Sequence, residues 1–553
     1  MNDIPGHAAT GQARSLSDAG IPAAPATAAA PERGRSAAVL VALGILLSRM
    51  TGLIRQIMLA RYLGTSMPAD AFNAAFRIPN LLQNLFGEGV LSASFIPEYA
   101  GLLGRGEEEE ATRLAGAVAG MLALLTSIIV LLGVLTAPFL VALIANGFTG
   151  EKRELTVRLT RILFPGAGLL VFSAWCLGVL NSHRRFFMSY AAPVLWNAAM
   201  VAALIGFHSG RTQEQLAIVL AYASVVGSAL QVAVQLPLVL RLAKRVRLSL
   251  SYAAQSVRNV FTNFIPAFIS RGVVQLSAYV DAWLASYLGN GAVSAFTYAQ
   301  VIYVLPVSLF GMAISAAELP SMSRATGTDA EIAAYLRQRL NAGLERIAFY
   351  IVPSAIALFA LGDLIVYLLL QSGVWHQRDT IWVWQILAGS AIGLLASTMG
   401  RLYSSTFYAL RDTRTPLRFA VIRVTLTTAL GYLAALVLPP ALGLDPKLGA
   451  AGLTASAGIA GWMEFALLRH ALSKRIGVTG LSKRVAAKLW IAATIAASIP
   501  WAYKLLGHSV EPKLASFVLL AAYGLVYLLL TTLQGISEAR ALTARIRRIR
   551  TGR

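Results

Sequence analysis

The sequence predicts an all-α polytopic membrane protein of about fourteen transmembrane helices, arranged as two pseudo-symmetric six-helix bundles plus two extra C-terminal helices. Three observations lead there. Of 553 residues, 57% are hydrophobic and only 13% charged, whereas a soluble chain carries about a quarter charged residues; the mean hydropathy is +0.66. The apolar residues fall into runs of about 20, the length that crosses a hydrocarbon core. One part of the chain also repeats at an offset of 224 residues.

Residues 1–35 are rich in Ala, Pro, Gly and Ser and hold no long apolar core. They read as a disordered cytoplasmic tail rather than a cleaved signal peptide. Cutting the remainder at Gly, Pro and charge clusters gives spans near 36–63, 70–103, 112–145, 157–180, 189–208, 215–240, 259–288, 294–323, 340–369, 380–409, 416–438, 448–470, 485–506 and 514–534. These group into an N-terminal six-helix bundle (36–245), a C-terminal six-helix bundle (246–475), helices 13 and 14 (476–535) and a basic amphipathic cytoplasmic tail (536–553), expected to lie on the inner leaflet.

An even number of spans puts both termini on one side. The net charge of +22 would suit nucleic acid if it were clustered in one soluble domain. Instead Lys and Arg crowd into the tails and the loops that follow even-numbered spans. That is the positive-inside bias of a multi-pass protein of the plasma membrane, and it places both termini in the cytoplasm. The single cysteine, Cys176, forms no intramolecular disulfide. No metal-ligand set, Walker loop or nucleophile–base arrangement is visible, so neither a cofactor nor an enzymatic activity is expected.

The repeat joins "RYLGTSMPADAFNAAFRIPNLLQNLFGEGVLSA" (61–93) to "SYLGNGAVSAFTYAQVIYVLPVSLFGMAISAA" (286–317), aligning Ala71, Phe72, Ala75, Leu85, Phe86, Gly87 and Ala93 with identical residues. The offset equals six spans, so the halves run parallel about an axis along the membrane normal, and substrate sites in such proteins lie between the halves.

The polar residues inside spans are the candidate site. In span 1, Ser48, Arg49, Gly52, Arg55 and Gln56 share an arc of about 120°. A single arginine at the bilayer centre costs about 2.5–3.5 kcal/mol even on insertion scales. Arg61, near the span's end, reads as an interfacial anchor. In span 2, Asp70, Asn73, Arg77, Asn80, Asn84 and Glu88 are spaced three or four apart and fall within about 80°. Such a stripe cannot face lipid, and lines either a water-filled cavity or a polar seam between helices. Asp70 also suits a helix N-terminus.

Span 7 adds Arg271, Gln275 and Asp281 over a broad arc, with Asp281 a candidate for ion coupling. Arg401 and Arg423 lie where snorkelling and cavity lining are equally open. The deep charges lean cationic, and guanidinium groups are natural partners of phosphate and carboxylate. A cation exporter would show the opposite excess, so the composition of the stripe points to an anion.

The stretch "SRMTGLIR…LARYLG…ADAFNAAFRIPNLL…LFGEGVLSASFIPEY" and the loop "FYALRDTRTP" (407–416) closely resemble the MurJ/MviN lipid II flippases of the MOP superfamily. The resemblance implies alternating-access movement of undecaprenyl-pyrophosphate-linked peptidoglycan precursor from the inner to the outer leaflet. It implies substrate-binding roles for Arg49 and Arg55, matched to the family's first-helix arginines, for Asp70 and Glu88, matched to its second-helix acids, and for Arg77. Asn73, Asn80, Asn84 and Arg271 join that set from their positions. The resemblance further implies a lipid-tail groove at spans 13 and 14, and partners among membrane lipids and the cell-wall synthesis machinery.

Gln56 stands where the family has an acid, Gln83 and Asn84 where Arg-Arg is frequent, and Gln300–Val301 where many members carry Asp-Arg. These departures leave room for a flippase of another polyprenyl-linked anion. A MATE-like multidrug or cation antiporter would put acids in the cavity, against the arginine bias, and a membrane scaffold for cell-wall assembly would not account for six polar residues on one stripe.

The charge distribution makes a direct prediction. A topology reporter fused to the C-terminus should be active only in the cytoplasm, and one inserted at Asn290 only outside; a C-terminus found outside would overturn the span count.

Overall fold

A computed structural model describes residues 32–86, 88–243, 246–506 and 512–550, and every regular element in it is helical. In chain order, span 1 is α1 (Glu32–Leu63) and span 2 is α2 (Met67–Phe86) with α3 (Glu88–Gly104). Span 3 is α4 (Glu108–Leu135) with α5 (Ala137–Ile144), and spans 4 to 7 are α6 (Gly150–Ser182), α7 (Phe186–Phe207), α8 (Gln213–Leu242) and α9 (Gln255–Ala285). Span 8 runs through α10 (Ala292–Pro306), a π-helical stretch (Val307–Met312) and α11 (Ala313–Ser323). Span 9 is α12 (Asp329–Ala360) with α13 (Gly362–Leu370), and span 10 is α14 (Gln377–Ala409). Span 11 is α15 (Arg414–Tyr432), a second π-helical stretch (Leu433–Val437) and α16 (Leu438–Ala441). Spans 12 to 14 are α17 (Gly449–Ile476), α18 (Lys483–Leu505) and α19 (Pro512–Leu533), and α20 (Ser537–Arg550) follows.

Among the described residues, eleven of these segments, spans 3–6 and 8–14, are by themselves long and apolar enough to cross a membrane. Spans 1, 2 and 7 carry Arg49, Arg55, Asp70, Arg77 and Asp281. The breaks have local causes. Thr136 ends α4 just before Pro138, which lies in the first turn of α5, where a missing N–H costs nothing. Capping boxes at Thr212 and Thr328 start α8 and α12.

The helix pairings repeat at a distance of six spans. Span 2 packs on span 4, span 4 on span 6 and span 5 on span 6; likewise span 8 packs on span 10, span 10 on span 12 and span 11 on span 12. Between spans 10 and 12, a Cβ at Gly393 would lie 2.4 Å from the Cα of Gly458. Between spans 4 and 6, one at Gly166 would lie 3.3 Å from Ser228. Small residues let backbones approach in lipid, where packing rather than water exclusion drives association. Arg184 and Arg411, both at φ 59°, occupy the loops after spans 4 and 10, so even the left-handed helix exits are duplicated.

The second of these exits is built by Asp412. Its carboxylate accepts from the N–H groups of Arg414 and Thr415 (both 3.0 Å), accepts from Thr415 Oγ1 (2.7 Å) and pairs with Arg475 (2.8 Å). These bonds, led by those from Thr415, hold its pKa below the ordinary aspartate value.

Span 14 is fastened to the second bundle through a proline. Pro353 in α12 has no N–H to offer the carbonyl four residues back. Tyr527 donates to that carbonyl, Phe349 O, at 2.7 Å, and Tyr523 donates to Pro353 O at 2.7 Å. Span 13 adds Trp501 Nε1 on Ala360 O (3.0 Å) and the Lys504–Asp363 pair (2.6 Å). Spans 13 and 14 therefore ride with span 9.

Candidate functional site

The site is framed by one closed end. Because successive spans alternate in direction, the turns around 64–66, 145–149, 208–212, 286–291 and 371–376 share one end of the molecule. At that end Asp70, in the first turn of α2, has no exposed surface. Its carboxylate pairs with Lys152 Nζ (2.6 Å) from α6. It accepts further from the N–H groups of Gly291 (2.7 Å) and Ser294 (2.8 Å) and from Ser294 Oγ (2.7 Å) at the start of α10.

Lys152 also donates to Gly289 O at 3.2 Å and sits 3.9 Å from the centre of the Phe148 ring. Gly291 has φ +90°, and a Cβ there would lie 2.3 Å from Thr65 O, so only glycine fits. Around this latch, Thr65 Oγ1 donates to Asp379 (2.6 Å), Val374 N–H to Arg61 O (3.0 Å) and Tyr298 OH to Gly64 O (3.1 Å). The two bundles are sealed to one another here.

At the opposite end, the segment after span 6 lies on the first bundle. Ser249 N–H donates to Gly116 O (3.2 Å), Ser256 Oγ to Glu110 (2.8 Å) and Asn259 Nδ2 to Glu98 (3.1 Å). Along span 1 towards this end, Leu46, Leu47, Arg49, Met50 and Ile54 are exposed.

Between the two ends lies a chain of charges. Arg55 is half-buried, with its guanidinium carbon 5.3 Å from the centre of the Phe76 ring and 5.1 Å from that of Trp196. Its Nε and NH1 are buried and meet no acceptor among the described residues. A small cleft borders the same two rings and is also lined by Asn80, Gln83 and Ser224.

Arg77 NH2 approaches Thr297 Oγ1 at 3.4 Å, while its backbone oxygen accepts from Tyr279 OH at 2.8 Å. Asp281 lies within electrostatic reach of Arg77 on the first bundle and Arg423 on the second, and its Oδ1 meets no donor among the described residues. Arg423 pairs with Glu464 (3.1 Å). Tyr303, bonded to Ser397 at 3.0 Å, feels both Arg401 and Arg423.

The stripe on span 2 thus divides. Asp70 is saturated in the latch, and Asn73 is buried with its Nδ2 donating to Ala69 O of its own helix (2.9 Å). Arg77 is half-buried, and Asn80 and Asn84 are exposed. The side chains of Glu88, Arg271 and Gln275 lie outside the described residues. Arg55, Arg77 and Asp281 are brought to the middle of the molecule; Arg49 is exposed on span 1, nearer the opposite end. Such a cationic set can hold a phosphate or carboxylate by charge-assisted hydrogen bonds. Among the described residues no group of three His, Cys, Asp or Glu is placed to hold a metal ion.

Sequence reading missed Lys152, taken as a loop cation, and the shelf of Phe76 and Trp196. One signal for the latch was present: Asp70 and Ser294 are 224 residues apart, so the repeat pairs them across the pseudo-two-fold axis.

A family model described as "Lipid II flippase MurJ" matches residues 59–531. A "Probable lipid II flippase MurJ" of Rhizobium tropici is 32% identical over 85% of this chain and 86% of its own. A "Lipid II flippase MurJ" of Burkholderia cenocepacia is 33% identical over 78% of this chain and 82% of its own. Among solved structures, "Lipid II flippase MurJ, inward closed conformation" matches with TM-score 0.73 and 21% identity, covering 90% of this chain and 98% of that one. An inward-facing MATE multidrug transporter of the MOP superfamily matches at 0.60 and 16%, over 79% and 98%. At these identities the two structures speak for the fold.

The division of the span-2 stripe is testable in a Cys176→Ala background. Cysteines replacing Asn80 and Asn84 should react with a small water-soluble thiol reagent, while one replacing Asn73 should stay protected. Equal protection of all three would make the whole stripe a dry seam.

Proposed function

The chain belongs to the MurJ family of lipid II flippases, and from that premise we propose how its charges serve the movement of a lipid-linked pyrophosphate. The activity is transport of lipid II across the bilayer and involves no chemical reaction on it. The observation that carries the reading of the site is Arg55, a guanidinium within the membrane whose Nε and NH1 meet no acceptor among the described residues. Arg49, Arg55 and Arg77 receive the pyrophosphate, with the exposed amides of Asn80 and Asn84 along the same path. A pyrophosphate crossing hydrocarbon must replace its hydration shell with donors already in place, and guanidinium forks supply planar, paired N–H groups.

In this reading Asp70 acts without touching substrate. It holds the 64/291 end shut, and that end is the periplasmic one, so the described state opens towards the cytoplasm. Removing the latch from one side leaves a buried charge unpaired, which costs about 3–5 kcal/mol, and the bundles part only when new contacts offset that loss. Asp281, between cations of both bundles, is the candidate for ion coupling. Spans 13 and 14, fastened to span 9, provide the surface for the polyprenyl tail. In this reading the protein lies in the inner membrane with both termini in the cytoplasm. A MATE-like cation antiporter fits less well, because cations dominate the middle of the molecule.

Arg49→Ala and Arg55→Ala should each abolish rescue of a bacterium depleted of its own lipid II flippase, with the protein still inserted and abundant. Arg55→Lys should rescue poorly, since an ammonium cannot form the planar fork. Normal export of lipid II by an abundant Ala variant would refute the anion site.

A further inference from the structure

Arg55 is held in an unusual way for a cation inside a membrane. An acid within hydrogen-bond reach would be the ordinary partner, yet among the described residues the groups that face it are two aromatic rings. Phe76 and Trp196 stack on each other with centroids 5.5 Å apart and planes 11° apart, and Phe76 stacks in turn on Phe72 at 5.5 Å. The guanidinium carbon lies 5.3 and 5.1 Å from the two ring centres.

Trp196 is itself fixed from behind. Its Nε1 donates to Ser224 O (3.1 Å) and to Ser224 Oγ (3.2 Å). Gly227 of α8 leaves it room: a Cβ there would lie 2.9 Å from Trp196 Cδ1 and from its backbone oxygen. The neighbouring Asn197 reaches Thr51, one turn from Arg55, with its Nδ2 at 3.5 Å from Thr51 Oγ1. Spans 1, 2, 5 and 6 thus build one aromatic shelf.

We propose that Trp196, together with Phe76, is a positioning residue that holds the Arg55 guanidinium for the lipid-linked pyrophosphate, in place of an acid that would compete for it. This rests on the reading that Arg55 binds the pyrophosphate. A carboxylate partner would occupy the N–H fork that a phosphate needs. A ring face attracts the charge without consuming any N–H donor, so Nε and NH1 stay unpaired and oriented. A small cleft lined by Asn80, Gln83 and Ser224 borders both rings. Trp196 acts only through Arg55, and that distinguishes it from a ring that contacts substrate or merely packs the bundle.

The test is a double-mutant cycle on the purified full chain in nanodiscs, titrated with undecaprenyl pyrophosphate. Trp196→Leu should weaken binding about tenfold, and Trp196→Phe, which keeps a ring face, less. In an Arg55→Gln background, Trp196→Leu should produce no further loss. Phe76→Leu gives the same cycle from the other ring, and melting temperatures are recorded so that a variant that fails to fold is replaced by its partner ring.

An equal loss from Trp196→Leu in both backgrounds would overturn the proposal, because the ring would then act independently of Arg55. Unchanged binding by Trp196→Leu and Phe76→Leu beside weakened binding by Arg55→Gln would also overturn it, while leaving the anion site intact. Unchanged binding by Arg55→Gln would instead refute the reading on which the proposal rests.

Discussion

A carboxylate with no exposed surface joins the two halves of the molecule at one end, and the rest of the arrangement follows from it. Taking Asp70 out of water is tolerable only because Lys152 and three donors at the start of α10 replace its hydration. All three of those donors belong to the other bundle, two of them on Ser294, and the one on Gly291 exists only because glycine admits φ +90° so close to Thr65. Closure at this end therefore depends on a few groups that are all present or of little use singly. With the bundles joined there, the charges of spans 1, 2 and 7 lie between that end and the other.

In spans 1 and 2 the buried acid and the arginines are treated differently. Asp70 is saturated by Lys152, Gly291 and Ser294. Among the described residues Arg55 has two aromatic faces while its Nε and NH1 meet no acceptor, and Arg77 has the Phe296 ring at 5.9 Å and one long contact to a hydroxyl. Satisfied acids lock structure, whereas under-satisfied guanidinium groups hold binding capacity in reserve for an anion. In the proposed reading the substrate's counter-charge lies on spans 1 and 2 and the mechanical closure at the ends of spans 2 and 8.

Much of this was legible in the residues. Apolar runs gave the helices, and the 224-residue offset gave the duplication that reappears in the paired span contacts and in the left-handed Arg184 and Arg411. The span-2 stripe was legible as polar but not as divided. Periodicity shows which residues share a face, and cannot show that α10 approaches the first two turns closely enough to dry them. Lys152 was hidden for a related reason: a lysine just inside a helix start looks solvated until a carboxylate from another span meets it. Trp196 was invisible because a tryptophan in an apolar helix carries no sign of the cation it faces. The breaks inside spans 8 and 11 are π-helical stretches that no residue type announces.

The most direct test of the account measures the latch. With Cys176→Ala as background, spin labels at the exposed positions Ser209 and Gln377 report the distance between the two bundles at the latched end. The native chain should give one short-distance population, and Asp70→Asn should add a longer one as the ends separate. An identical distance distribution in the two proteins would contradict the claim that this carboxylate holds the halves together.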